Sequence, residues 1–124
     1  MKVDGLIYTL NIPTDVFMLD DTLGGTFEVF NASLREREFR FNHQQQHSFQ
    51  LKTDNGTVVL YYPMIVSPAP SYFALSPSTK KTFEIRSLFR DHDGHLIAAG
   101  SYTLESSLTE LQSPSLALRV RVIQ

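Results

Sequence analysis

A chain of 124 residues, 42% hydrophobic and 19% charged, suits one globular domain and is too apolar to stay disordered. Its 11 basic and 13 acidic residues leave a formal net charge of −2, which excludes the strongly basic surface that nucleic acid or an anionic membrane selects. With no cysteine there are no disulfides, thiolate zinc sites or cysteine nucleophiles, and no apolar run approaches the ~20 residues of a membrane span. Asp4, Asn11 and Asp15 break up the N-terminal segment, so the expectation is a soluble chain located in the cytoplasm, or exported if a leader has been removed.

In chain order, Leu6, Tyr8, Leu10 and Ile12 alternate with Ile7, Thr9 and Asn11, predicting a strand that Pro13 ends. Val16 to Leu19 is a short second piece. Asp20 to Gly25 reads as a loop broken by adjacent glycines. Thr26 to Ser33 is a strand with Phe27 and Val29 on one face and Glu28 on the other, and Phe39 and Phe41 mark the next. Asn42 to His47 reads as a solvated polar link leading to a strand around Phe49 and Leu51. Asp54-Asn55-Gly56 is a tight turn, and Thr57 to Tyr62 is a strand with both faces at least partly covered.

From Pro63 to Pro77 there are four prolines in fifteen residues, which predicts an extended crossover with a short edge strand near Tyr72 to Leu75. Lys80 to Leu108 then carries two alternating segments joined at Asp91-His92-Asp93-Gly94, expected to pair as the central hairpin of the fold. Leu116, Leu118, Val120 and Val122 alternate with Arg119 and Arg121 in a last strand, where the arginines would blunt an exposed edge. Thr103 to Gln112 is the nearest helical candidate, but its serines and threonines favour a strand. About eight short strands with regular turn signals predict an all-β, antiparallel β-sandwich in a single domain over 1–124.

Phe27 to Ser33, Phe39-Arg40-Phe41, His47 to Leu51, the Asp54-Asn55-Gly56 turn, and Gly94 followed by Ala99 to Leu104 together resemble the BsuPI-type intracellular proteinase inhibitor domain. The resemblance covers about Phe27 to Leu108. It implies an immunoglobulin-like sandwich and, from the role for which that bacterial family is named, inhibition of an intracellular serine proteinase.

No P-loop, dinucleotide fingerprint or nucleophile elbow is present, so the expectation is a protein that is not an enzyme and needs no cofactor. His43 and His47 share a parity with no third metal ligand placed beside them, and Asp91, Asp93 and His95 lack the further ligands of a calcium loop, so no metal is expected. Asn31-Ala32-Ser33 and Asn55-Gly56-Thr57 match glycosylation sequons. Gly100-Ser101-Tyr102 is placed like a tyrosine corner, with a buried ring and its hydroxyl bonded back to nearby backbone.

The leading functional expectation is a protein-binding module whose partner, by the resemblance, is a serine proteinase. The alternative is a structural or adhesive immunoglobulin-like domain of an exported or assembled system. The candidate binding residues are Met64, Ile65, Val66, Tyr72 and Phe73, apolar anchors on a segment that its prolines hold extended. A competing reading packs the same side chains beneath the sandwich, the usual fate of apolar residues.

Overall fold

The computed structural model describes residues 1–110 and 112–124. Its eleven strands exceed the eight expected: β1 (Lys2–Val3), β2 (Leu6–Asn11), β3 (Val16–Met18), β4 (Thr22–Asn31), β5 (Arg37–Phe41), β6 (His47–Lys52), β7 (Val58–Tyr62), β8 (Ser71–Leu75), β9 (Lys80–Leu88), β10 (Gly100–Leu108) and β11 (Leu116–Ile123). One sheet has the order β1-β2-β4-β9 and a second β3-β11-β10-β6-β7, while β5 and β8 form a separate pair. The pairing is antiparallel except between β3 and β11, which run parallel. Among the described residues no helix is long and apolar enough to cross a membrane.

The core lies where the inward parities of the two large sheets meet. Leu23, Phe27 and Val29 of β4 with Ile85 of β9 come from one sheet, and Leu51, Leu104, Leu108, Val120 and Val122 from the other. Each such side chain contributes roughly 1.5–3 kcal/mol by leaving water. The β5–β8 pair joins this core through Phe73, whose ring stacks on Phe39 at 4.6 Å and meets Phe83 of β9 at 6.0 Å.

The alternation in β9 and β10 is as expected, but these strands do not pair with each other. Each lies in a different sheet. The Asp91–Gly94 turn does form, with Asp91 N–H donating to His95 O (2.8 Å) and Gly94 at φ 85°. The Arg90↔Leu96 bridge continues it, and the chain then crosses to the opposite sheet. Local alternation is the same whether a strand pairs with its sequence neighbour or faces it across the core.

Gly24 and Gly25 lie inside β4 rather than in a loop. A Cβ at Gly25 would stand 2.6 Å from the Asn11 carbonyl oxygen, so this glycine marks close approach of two backbones. β7 is an edge strand, with Leu60 buried on one face and Val59 half-buried on the other. Arg121 does not guard an edge: β11 runs between β10 and β3 there, and Arg119 bonds instead to Asp54.

Asn31 is fully buried, its Nδ2 donating to Leu75 O (2.8 Å) and Arg35 O (2.9 Å), so the first sequon presents no glycan acceptor to solvent. The tyrosine corner is present. Tyr102 is buried and its hydroxyl donates to the Ala98 carbonyl.

Candidate functional site

β7 ends at Pro63, and the chain leaves the sheet with Met64, Ile65 and Val66 at the surface. Ile65 is 84% exposed, Met64 61%, and Tyr72, further along, 65%. Phe73 points the other way, into its stack with Phe39. The segment is thus presented rather than packed beneath the sandwich, and four of the five expected residues are exposed. Phe73, the fifth, is partly buried, because the alternation of β8 turns it to the face opposite Tyr72.

The polar link at residues 42–47 is what holds this segment. Gln44 N–H donates to Ser67 O (3.1 Å), and Gln44 Nε2 donates to Ala69 O (2.9 Å) and Pro70 O (3.0 Å). Gln45 Oε1 accepts Ser67 N–H (2.8 Å), Gln46 Nε2 donates to Ser71 Oγ (3.1 Å), and Ser71 Oγ donates to His43 O (2.6 Å). Proline lacks an N–H and cannot enter a ladder, so side-chain amides supply the contacts that a neighbouring strand would otherwise give. Met64 to Val66 is therefore a short tip held by β7 on one side and by the glutamines on the other.

Between the edge strands β7 and β9 runs an open groove of about 460 Å³, with Tyr61, Tyr62, Met64 and Ile65 on one wall and Arg86, Leu88 and Arg90 on the other. Tyr61, Tyr62 and Leu88 are each about half exposed, which joins the tip to a continuous apolar strip. The sequence signal for it is the aromatic pair before Pro63.

His47 was expected in a solvated loop and is instead 4% exposed in β6. Its ring stacks on Phe27 (5.4 Å) and Phe83 (5.3 Å), bridging the two sheets. Because Ser106 Oγ donates to Ser48 O (3.0 Å), the 2.6 Å contact between His47 Nε2 and Ser106 Oγ has the imidazole N–H as donor. Burial lowers the His47 pKa to about 4. The Ser106 hydroxyl is enclosed and committed to a carbonyl, so the pair is a core contact and not an activated nucleophile.

Asp91, Asp93 and His95 do come together, their ligand atoms within 4.8 Å of one another. Asp91 Oδ1, however, already accepts the N–H groups of His95 (3.0 Å) and Asp93 (2.9 Å). Those bonds, His95's foremost, hold its carboxyl below the usual range. His43 lies on the polar link and His47 in the core.

Neither a protein-family model nor a curated protein matches the chain. Solved structures do. The sporulation control protein Spo0M of Bacillus subtilis superposes with TM-score 0.60 at 14% identity, over 98% of this chain and 51% of that one. The CARDB domain of the PF1109 protein of Pyrococcus furiosus, solved in complex with di-metal ions, superposes with TM-score 0.52 at 13% identity, over 95% of this chain and 92% of the domain. The fold is immunoglobulin-like. A β-glucosidase of Erythrobacter marinus also contains this fold (TM-score 0.58, 14% identity), and the chain spans 15% of its length.

Proposed function

We propose that this chain is a non-enzymatic protein-binding module that engages its partner through the tip at Met64–Val66 and the neighbouring Tyr72. The observation that carries the reading is the combination of exposure and restraint. Four large apolar side chains stand in solvent on a segment whose backbone is held by Gln44 and Gln45, with Gln46 bonded to the Ser71 hydroxyl. Ordering a loop costs free energy at binding, and a segment ordered in advance avoids that cost. Apolar and aromatic anchors supply the few contacts that dominate an interface.

Following the resemblance to the BsuPI-type inhibitor domain, the partner proposed is a serine proteinase of the subtilisin kind. The tip would enter its cleft as an extended, substrate-like strand. Titrating the protein into such a proteinase, with residual peptidase activity as the readout, tests this directly. We expect stoichiometric loss of activity, abolished by Met64→Asp with Tyr72→Asp while the variant keeps its thermal transition, since both positions lie outside the core. Full proteinase activity at excess protein would eliminate the proteinase. Equal inhibition by the folded double variant would move the site elsewhere.

A further inference from the structure

The strands that end the two large sheets differ in how well they could accept another strand. β1 has two residues and β3 three. β7 is interrupted by a register shift opposite Leu51/Lys52 and is followed by Pro63. β9 is long and regular, paired with β4 without a shift from Phe30↔Lys80 to Thr22↔Leu88, and among the described residues no strand is hydrogen-bonded to its outer side. Phe73 of β8 approaches it at Phe83, but among the described residues no backbone hydrogen bond from Glu84 to Ser87 leaves the β4–β9 ladder.

We propose that a second copy of this chain docks on that edge, the two β9 strands pairing antiparallel about a two-fold axis through Ile85. The charges fit this register. A two-fold axis at Ile85 sets Glu84 of each copy opposite Arg86 of the other, Phe83 opposite Ser87 and Thr82 opposite Leu88. Glu84 and Arg86 are exposed, and within one copy they stand 4.0 Å apart, so both are free to exchange partners. Charges usually protect a sheet edge, whereas this alternation is complementary to itself when reversed. The basic residues falling at the ends are occupied in their own copy: Lys80 pairs with Glu28 (3.1 Å) and Arg90 Nη1 donates to Gly94 O (2.7 Å).

The margin is also apolar. Tyr61, Tyr62, Met64, Ile65 and Leu88 line the groove beside β9, each of them exposed, and give a partner on this edge apolar surface to cover beyond the strand itself. The inference rests on reading this margin as a binding surface and gives that surface an occupant. A second copy and a foreign partner then compete for Met64 and Ile65.

Sedimentation equilibrium of the purified protein over a concentration series tests it without any other partner, so a failure of the proteinase reading leaves the result unchanged. The parent is expected to be a reversible dimer. Glu84→Arg sets arginines opposite arginines, and Arg86→Glu sets glutamates opposite glutamates, so each should raise the dissociation constant by about tenfold or more. Mixing these two single variants should restore a one-to-one dimer, and the double variant Glu84→Arg/Arg86→Glu should recover self-association. A parent that stays monomeric to millimolar concentration overturns the inference, as does a dimer indifferent to both single substitutions.

Discussion

His47 ties the core to solution pH. Its imidazole is held neutral between Phe27 and Phe83, with a pKa of about 4 against 6.5 in an unfolded chain. A depressed basic pKa means that the unfolded state takes the proton first. Its contribution to stability is therefore fully present above about pH 6.5 and is lost progressively as pH falls to 4, amounting to about 3 kcal/mol. Asp54, held low first by its hydrogen bond from Arg119, and Asp91 act at more acid pH, below their ordinary 3.8. Denaturant midpoints measured from pH 7.5 to 4 should slope for the parent and flatten for His47→Gln; an unchanged slope would place the proton uptake on another group. Tyr102 sets a second residue-scale expectation. Removing its hydroxyl by Tyr102→Phe strands the Ala98 carbonyl and should cost about 1–2 kcal/mol, whereas Tyr102→Ala should cost roughly 3–5 through the cavity it leaves. A phenylalanine variant that melts with the parent would show that the hydroxyl bond adds nothing to stability. The Tyr102 geometry could be read from sequence because it depends on near neighbours. The burial of His47 could not, because its surroundings come from β4, β9 and β10, far along the chain.

At the scale of elements, alternation located the strands well wherever one face is wet. β2, the second half of β4, β6 and β10 lie where Tyr8, Phe27, Leu51 and Leu104 marked them. It misled where a special contact overrides the local signal. Gly24-Gly25 has the composition of a loop, yet β2 requires a residue without a side chain at Gly25. The aromatic density of β7 suggested burial, but its edge position leaves Tyr61 and Tyr62 half exposed. The candidate site was legible in its exposed residues and illegible in its support, since a run of glutamines looks solvated until the backbone groups it meets, more than twenty residues away, are known. Gln44→Ala removes two of those bonds, each worth about 0.5–1.5 kcal/mol. We expect faster limited proteolysis between Met64 and Ser71 with little change in the global melting midpoint. Cleavage at the parental rate would mean that the prolines alone hold the segment.

For the whole molecule, the sandwich follows from two oily faces that must meet, and sequence alone leads to that architecture. Sheet membership does not follow in the same way. Lys80–Leu108 alternates equally well as one hairpin or as two strands facing across a core, and the chain crosses after Arg90 with Phe89 and Ile97 both buried. The same separation of core from periphery bears on the use of this chain as a scaffold. Met64, Ile65 and Val66 lie outside the core and are fastened at both ends, so a foreign peptide spliced in their place would be displayed on a platform whose folding does not depend on it. Loop-closure entropy grows slowly, about 0.6 kcal/mol for each doubling of length, so the graft can be lengthened severalfold before the cost rivals that of a single cavity in the core.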